Sequence, residues 1–277
     1  MELELTHRNK IGQVAYNLKG IATVTRQKYL TASEKGPWAN SYDRWRNDNL
    51  TNRYQGVQFG YTSAGRYTSW NDIWSYPGYK ERDILPGDYK YEDWNGDGEI
   101  NGQDEHPFAF DQTPWLQFSL NAGLQWKNLD FNMLLQGSAL GSMEYKEPLH
   151  EIWGKNGGGA LTQFLDRWHP VDPKADPYDP STVWTSGHYA YTGRWAKNNS
   201  AFNRVSTAYL RLKSIELGYT FPKLKQIPNA SLRIYANAYN LLTFTGVKFV
   251  DPEHPDDDLG RMYPLNKTYT LGVSLSF

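Results

Sequence analysis

The stretch "PWLQFSLNAGLQWKNLDFNMLLQG", residues 114–137, decides the fold. Its apolar residues fall on every second position: Leu116, Phe118, Leu120, Ala122, Leu124 and Trp126, then Leu129, Phe131, Met133 and Leu135. Between them stand Gln117, Ser119, Asn121, Gly123 and Gln125, then Asp130, Asn132 and Gln136. Side chains of a strand point alternately to opposite faces, so this pattern predicts two strands, each with one apolar and one polar face. Only Lys127 and Asn128 separate them, a link short enough to make a hairpin.

The same period recurs to both ends of the chain. "TYTLGVSLSF", residues 268–277, sets Tyr269, Leu271, Val273, Leu275 and Phe277 against Thr270, Gly272, Ser274 and Ser276. Near the start, Val14, Tyr16, Leu18, Ala22 and Val24 oppose Gln13, Asn17, Lys19, Thr23 and Thr25. "SLRIYANAYNL" opposes Leu232, Ile234, Ala236 and Ala238 to Arg233, Tyr235, Asn237 and Tyr239. In "YLRLKSIELGY" the phase changes between Leu212 and Ile215, which predicts a bulge near Lys213 or Ser214. The predicted strands run about 9–13 residues against a usual mode of about 5–6. A tilted strand crossing a bilayer needs about 9–11.

The links alternate in length. Strands near 2–8 and 13–26 are joined by "NKIG", those at 115–126 and 129–139 by two residues, and those at 208–219 and 231–242 by "TFPKLKQIPNA". The connections between these hairpins span roughly residues 27–113, 140–207 and 243–267. Structureless loops of that length are uncommon in compact domains. Short turns on one side and long loops on the other are the habit of an outer-membrane β-barrel. The fold class is therefore all-β, an antiparallel transmembrane barrel. An open set of seven strands leaves edge groups unpaired, so residues 1–277 are expected to be the C-terminal portion of a larger barrel. The last strand, Tyr269, Leu271, Val273, Leu275 and Phe277, is the expected signal for barrel assembly. Trp115, Trp126, Tyr219 and Tyr269, near strand ends, suit an interfacial aromatic girdle. The alternative is a secreted β-sandwich binding calcium and carbohydrate, with the same apolar faces packed inward.

Composition narrows the classes. Net charge is -1, so no general attraction to nucleic acid or an anionic membrane surface is expected. Mean hydropathy is -0.72, yet 15% of residues are aromatic, a pairing that suits a β-rich protein with long polar loops. The chain has 0 Cys, which excludes disulfides and thiolate metal sites. No run of 18 apolar residues marks a transmembrane helix, and "MELELTHRNK" lacks a signal peptide's apolar stretch.

Residues 93–104, "DWNGDGEINGQD", have the spacing of a calcium loop. The expected ligands are Asp93, Asn95, Asp97 and Asp104, the backbone carbonyl of Glu99, and Asn101 directly or through water. Gly98 holds the turning position and Ile100 the apolar anchor. Pro86, Pro107 and Pro114 exclude flanking helices, so the loop is expected to brace a long connection rather than sense calcium. Six His show no metal spacing, and no nucleophile or nucleotide fingerprint appears, so no enzyme is expected. The carboxylates of "DPEHPDDD", Asp251, Glu253, Asp256, Asp257 and Asp258, are expected to be a solvated loop run. The loop tryptophans Trp38, Trp45, Trp70, Trp74, Trp153, Trp184 and Trp195 could stack on sugar, with Trp70, Trp74, Trp153, Trp184 and Trp195 as the substrate candidates, but pinning the long loops to one another is the expected role of any single one.

Several stretches resemble one family, in order and to the last residue: "LPGDYKYEDWNGDGEING", "RWHP", "AYLRLKSIELGYTFP", "LRIYANAYNLLTFTG", "DPE" at 251–253 and "YPLNKTYTLGVSLSF". They are similar to the late barrel of SusC/RagA-type TonB-dependent transporters of Bacteroidetes. The resemblance implies a barrel of about 22 strands with an N-terminal plug and a TonB-contacting segment, neither of which lies in this sequence. It implies uptake of oligosaccharides or peptides, a SusD-type surface lipoprotein as partner, the TonB complex as energy source, and contact with outer-membrane lipid and the barrel-assembly machinery.

Overall fold

The computed structural model describes all residues except 34–35, 39, 47–49, 79–82, 147–148, 151, 153–158, 192–195, 197–198, 223–229, 254–261 and 277. The alternating stretches form seven long strands: β1 (Glu2–Ile11), β2 (Val14–Val24), β3 (Leu116–Trp126), β4 (Leu129–Ala139), β5 (Tyr209–Phe221), β6 (Ser231–Thr245) and β7 (Thr268–Ser276). They lie side by side in chain order in one seven-stranded sheet, every neighbour antiparallel. The sheet is open, with β1 and β7 at its edges.

Register carries the alternation across the sheet. Leu18 pairs with Ala122, Ala122 with Met133, Met133 with Ile215, Ile215 with Ala238 and Ala238 with Tyr269. Partners directly opposite share a face, so the apolar set of every strand lies on one side. The phase change in β5 is a bulge: register shifts between Leu212 and Ser214 against both neighbours, which returns Ile215 to the apolar face. On β6, Asn240 beside this irregularity takes φ 53.

The short turns are tighter than their composition suggests. The predicted turn "NKIG" reduces to Gly12 and Gln13, because Asn9, Lys10 and Ile11 pair with Tyr16, Ala15 and Val14. Gly12 supplies the left-handed step, φ 59. Strands β5 and β6 also run past their predicted ends, to Phe221 and Thr245. Their connection lies mostly outside the described residues, as does Phe277.

The apolar face is exposed, where a sandwich would bury it. Leu5 is 65% exposed, Leu217 49%, Leu271 77% and Val273 65%. Trp126, Tyr219 and Tyr269 are exposed near strand ends as expected. Trp115 differs. It packs against Phe110 and Tyr54, with the Arg26 guanidinium 4.2 Å from its ring centre.

The long connections carry short ladders of their own. Gln58–Gly60 pairs with His106–Ala109, Ser63–Arg66 with Tyr89–Tyr91, Ser142–Glu144 with Arg204–Ser206, and His169–Pro170 with Trp184–Thr185. Two connections meet where Tyr61 donates to the Asn199 carbonyl at 3.0 Å and accepts from the Ala201 N–H at 2.9 Å. A Cβ at Gly60 would stand 1.7 Å from that Asn199 oxygen, so only glycine permits the crossing. Tyr61, Tyr91 and Ile100 are buried together here, with Tyr89 and Phe202 against them. Among the described residues no helix is long and apolar enough to cross a membrane, which says nothing about crossing by strands.

Candidate functional site

The predicted calcium-type loop closes on itself. Asp93 accepts from the N–H groups of Gly96 at 2.8 Å, Asp97 at 3.2 Å and Gly98 at 2.9 Å. Asn95 accepts from Asp97 N–H, Asp97 from Glu99 N–H, and Asn101 from Gln103 N–H. Asp104, 0% exposed, accepts from Trp94 N–H at 3.0 Å and Asn101 N–H at 2.8 Å. Ile100 anchors the loop in the Tyr61–Tyr91 core, and the Trp94 indole stacks on His106 at 3.7 Å. All six predicted ligands thus fall in one loop, and their oxygens are the hard donors that suit calcium. Their acidic oxygens face the loop's own N–H groups. Among the described residues no three Asp, Glu or His side chains are gathered as a metal group.

The polar face of the sheet holds charge networks that the sequence reading missed. On β5, Arg211 is 1% exposed. Its guanidinium donates to Asp251 at 2.5 Å, to Glu253, and to the Thr243 hydroxyl at 2.9 Å. Tyr209 donates to the same Glu253 carboxylate at 2.9 Å. Asp251 and Glu253 are therefore not part of a solvated run, which corrects that expectation; a buried cation draws them onto the sheet. Asp256, Asp257 and Asp258 lie outside the described residues. Further down, Arg233 on β6 bridges Asp130 on β4, at 2.5 Å, and Glu216 on β5, at 2.7 Å. Beside the Arg211 group a cavity of about 490 Å³ lies on the polar face, lined by Gln117, Ser119, Gln136, Ser138, Tyr209 and Glu253, among others.

Of the tryptophans, Trp45 packs against Tyr42 and Phe59. Trp70 and Trp74 lie 6.1 Å apart, with Trp74 69% exposed. Trp184 meets Tyr191 edge-on at 5.4 Å. Trp153 and Trp195 lie outside the described residues. Trp168, quoted within "RWHP" but not singled out, joins Trp70 and Trp184 around one small cavity. Nearby, burial pushes the Tyr67 and Tyr189 hydroxyls up to about 12. Burial also holds the Arg66 guanidinium, stacked 4.1 Å from the Tyr89 ring centre, below its usual value.

No protein-family model matches the chain. Among curated proteins it is 28% identical over 211 residues to TonB-dependent receptor P3 of Formosa agariphila, covering 70% of this chain and 19% of the relative. It is 27% identical over 239 residues to TonB-dependent receptor P26 of the same organism, covering 81% and 22%. The chain thus spans about a fifth of the length of the curated relatives it matches. Among solved structures, the RagAB peptide transporter superposes over 100% of this chain and 29% of its own, at 18% identity and a TM-score of 0.64. The RagAB peptide importer in its closed-closed state gives the same coverage at 17% identity and 0.60. The chain is thus similar in sequence to TonB-dependent receptors over part of their length, and it shares its fold with part of the RagAB transporter.

Proposed function

We propose that these residues form part of the wall of an outer-membrane transporter of about 22 strands, which imports oligosaccharides or peptides with energy from TonB. One observation carries this reading: seven aligned strands present a continuous apolar face, exposed on six of them and half-buried on β4, on one side and an ion-paired polar face on the other. Water on both sides of such a sheet would be unfavourable, since each large apolar side chain left exposed forgoes roughly 1.5–3 kcal/mol. Lipid against the apolar face and an aqueous lumen against the polar one removes the conflict. The long connections then lie outside the cell, where a SusD-type lipoprotein would cap them. Strand β7 would be read by the barrel-assembly machinery. No step in this role needs catalysis.

The test is the location and intact mass of the native protein. Recovery from the outer membrane as a detergent-dependent protein with heat-modifiable migration supports the reading. Recovery as a detergent-free soluble protein would sink it. Within the same reading, residues 93–104 brace the external connections, with calcium as the cation their oxygens suit. Calcium should raise the melting temperature of the protein, and Asp97→Ala should abolish that rise. An unchanged melting curve with and without chelator removes calcium from the account.

A further inference from the structure

Four neighbouring strands, β2 to β5, end side by side where the long connections begin, and an apolar cavity of about 470 Å³ lies there. The volume is within the usual range of ligand pockets, about 300–1,000 Å³. Ala139 closes β4, and Ala208 stands two positions before Leu210 of β5, so strand alternation puts both on the apolar face of the sheet. Leu140 beside them is exposed and holds φ 60, a left-handed conformation that is costly for a large side chain. Phe108, Phe110 and Val205 complete the apolar wall. Among the described lining residues only Arg204 is charged, and it is committed: it donates to Ser142 and Gln58 and faces Glu144 at 3.9 Å. The cavity therefore calls for an apolar occupant, and it lies on the side that meets lipid in the transport reading.

Two cations stand next to it. The backbone stays paired beyond Val24: Thr25 N–H donates to the Trp115 carbonyl, Gln55 N–H to the Gln27 carbonyl and Tyr29 N–H to the Arg53 carbonyl, each at 2.9 Å. Alternation continued past Val24 puts Arg26 and Lys28 on the apolar side, just beyond its end. Both are exposed. The Arg26 guanidinium lies 3.6 Å from the Tyr54 ring centre and 4.2 Å from that of Trp115, and the Lys28 ammonium lies 5.8 Å from Tyr54. Aromatic faces hold a guanidinium in place without neutralising it. Arg211 and Arg233 each draw two carboxylates, whereas among the described residues none pairs with Arg26 or Lys28. Trp115 also links the cations to the cavity. Its ring meets Phe110 of the cavity wall at 4.9 Å, and its backbone N–H donates to the Leu140 carbonyl at 3.1 Å. A cation pair without a counter-charge, one ring away from an apolar cavity and at the rim of an apolar sheet face, matches an anionic head carried on an acyl chain.

We infer that this corner of the sheet binds one phosphate-bearing lipid of the surrounding leaflet, its phosphate on Arg26 and Lys28 and one acyl chain in the cavity between Leu140 and Ala208. Phosphate suits the pair because a guanidinium donates two parallel N–H bonds to it. The inference rests on the transport reading for the presence of a bilayer. It adds a headgroup preference to an apolar face that by itself would accept any lipid.

The experiment uses the full protein, purified in a neutral detergent and stripped of lipid, with lipid binding read by native mass spectrometry. The probes are dimyristoyl phosphatidylglycerol, dimyristoyl phosphatidylcholine, whose choline covers the phosphate charge, and inorganic phosphate. The first phosphatidylglycerol should bind about tenfold more tightly than the first phosphatidylcholine. Arg26→Gln with Lys28→Gln should remove that preference. Lys127→Gln, at the opposite end of the sheet beside Trp126, should keep it. Ala208→Trp fills the cavity and should weaken both lipids, with Ala208→Leu as the milder variant at an unaltered melting temperature. Inorganic phosphate at the lipid's concentration should leave the lipid bound. Equal binding of the two lipids, a preference that survives in the double Gln variant, or lipid binding indifferent to both Ala208 variants would each overturn the site. Displacement by inorganic phosphate would overturn it too, by making it a site for a free anion. Cell fractionation reads the transport proposal separately. A membrane-located protein without the headgroup preference refutes only the lipid site, and a soluble one that keeps the preference refutes only the transport role.

Discussion

The sheet and its long connections use the same apolar residue types in opposite ways. In the connections Tyr61, Tyr67, Leu85, Tyr91 and Ile100 are between 2% and 6% exposed. On the sheet, many large side chains of the alternating face stand open, Phe244 at 63% and Leu271 at 77%, while those of β4 are half-buried. The sheet residues that do reach burial are small or on the polar side, such as Ala122, Ala238 and Tyr209. The hydrophobic core that water enforces is therefore assembled in the connections, while the sheet keeps its apolar face for another neighbour. Backbone hydrogen bonds hold the sheet together, and side-chain burial holds the connections together.

Charge placed on each region breaks this comparison most sharply. Leu217 sits mid-strand in β5 on the exposed apolar face. In lipid, Leu217→Arg should destabilise by roughly 2–4 kcal/mol, the depth-dependent cost of a cation against hydrocarbon. In water, a comparable exposed substitution shifts stability by only about 0.5 kcal/mol either way. Trp74→Arg, in the connections, should show that smaller effect. Urea unfolding in detergent or lipid, followed by the heat-modifiable band, measures both. Equal small effects would mean the apolar face meets water.

Next in size is the group that ties the two regions together. Arg211→Met would leave Asp251 and Glu253 without their cation and free the segment after β6. Breaking a fully buried pair costs about 3–5 kcal/mol. Here the carboxylate side chains are 22% and 39% exposed, so water softens the loss to about 2 kcal/mol. Limited proteolysis should show new cleavage within residues 246–267. Gly87→Ala should cost about 1–3 kcal/mol, because Gly87 holds φ 91 and its new methyl would meet the Trp168 ring. Its effect should appear as lost protection in residues 85–88, with the sheet unchanged. Loss of sheet protection instead would mean that the two regions fold as one unit.

The difference also explains what the sequence made legible. Period two is a local property, so β3 and β4, their two-residue turn and the bulge after Leu212 could all be read from spacing alone. The strand ends moved because pairing with a neighbour, not composition, decides where a strand stops, as at Ile11 opposite Val14. The connections followed no single period. Their short strands pair across long separations, and Gly60 against Asn199 is a contact that no local pattern announces. The six ligand positions of residues 93–104 were legible as a spacing, but not the commitment of the Asp93, Asn95, Asp97, Asn101 and Asp104 side chains to backbone N–H groups. Arg211 was visible only as a polar residue in a strand. Its partners arrive from beyond the next strand, so the clamp could not be read from either segment alone.

The smallest expected effect is acid loosening of the connections, with the sheet as internal control. Asp72 sits in the short helix Trp70–Ser75 and pairs with Lys90 of the strand Tyr89–Tyr91 at 2.7 Å. Its hydrogen bond with Lys90 holds the carboxyl below its ordinary 3.8. His188 is held below 6.5, first by desolvation and then by Arg66, which donates to its carbonyl. Both folded values are depressed, so both contributions are present above the unfolded values and fade as pH falls. The His188 part should begin to fade below pH 6.5 and the Asp72 part below pH 3.8. The His188 step is small because its ring keeps solvent contact, which screens the charge. Hydrogen exchange at pH 7.5 and pH 5, corrected for intrinsic rate, should show faster opening at residues 87–90 and 166–168 and none in β4 or β5. His188→Gln should remove that step while leaving the one below pH 3.8 in place. Acid opening confined to the connections would show that titratable contacts tune only the region whose core faces water. Equal opening in the sheet would mean that the two share one cooperative structure after all.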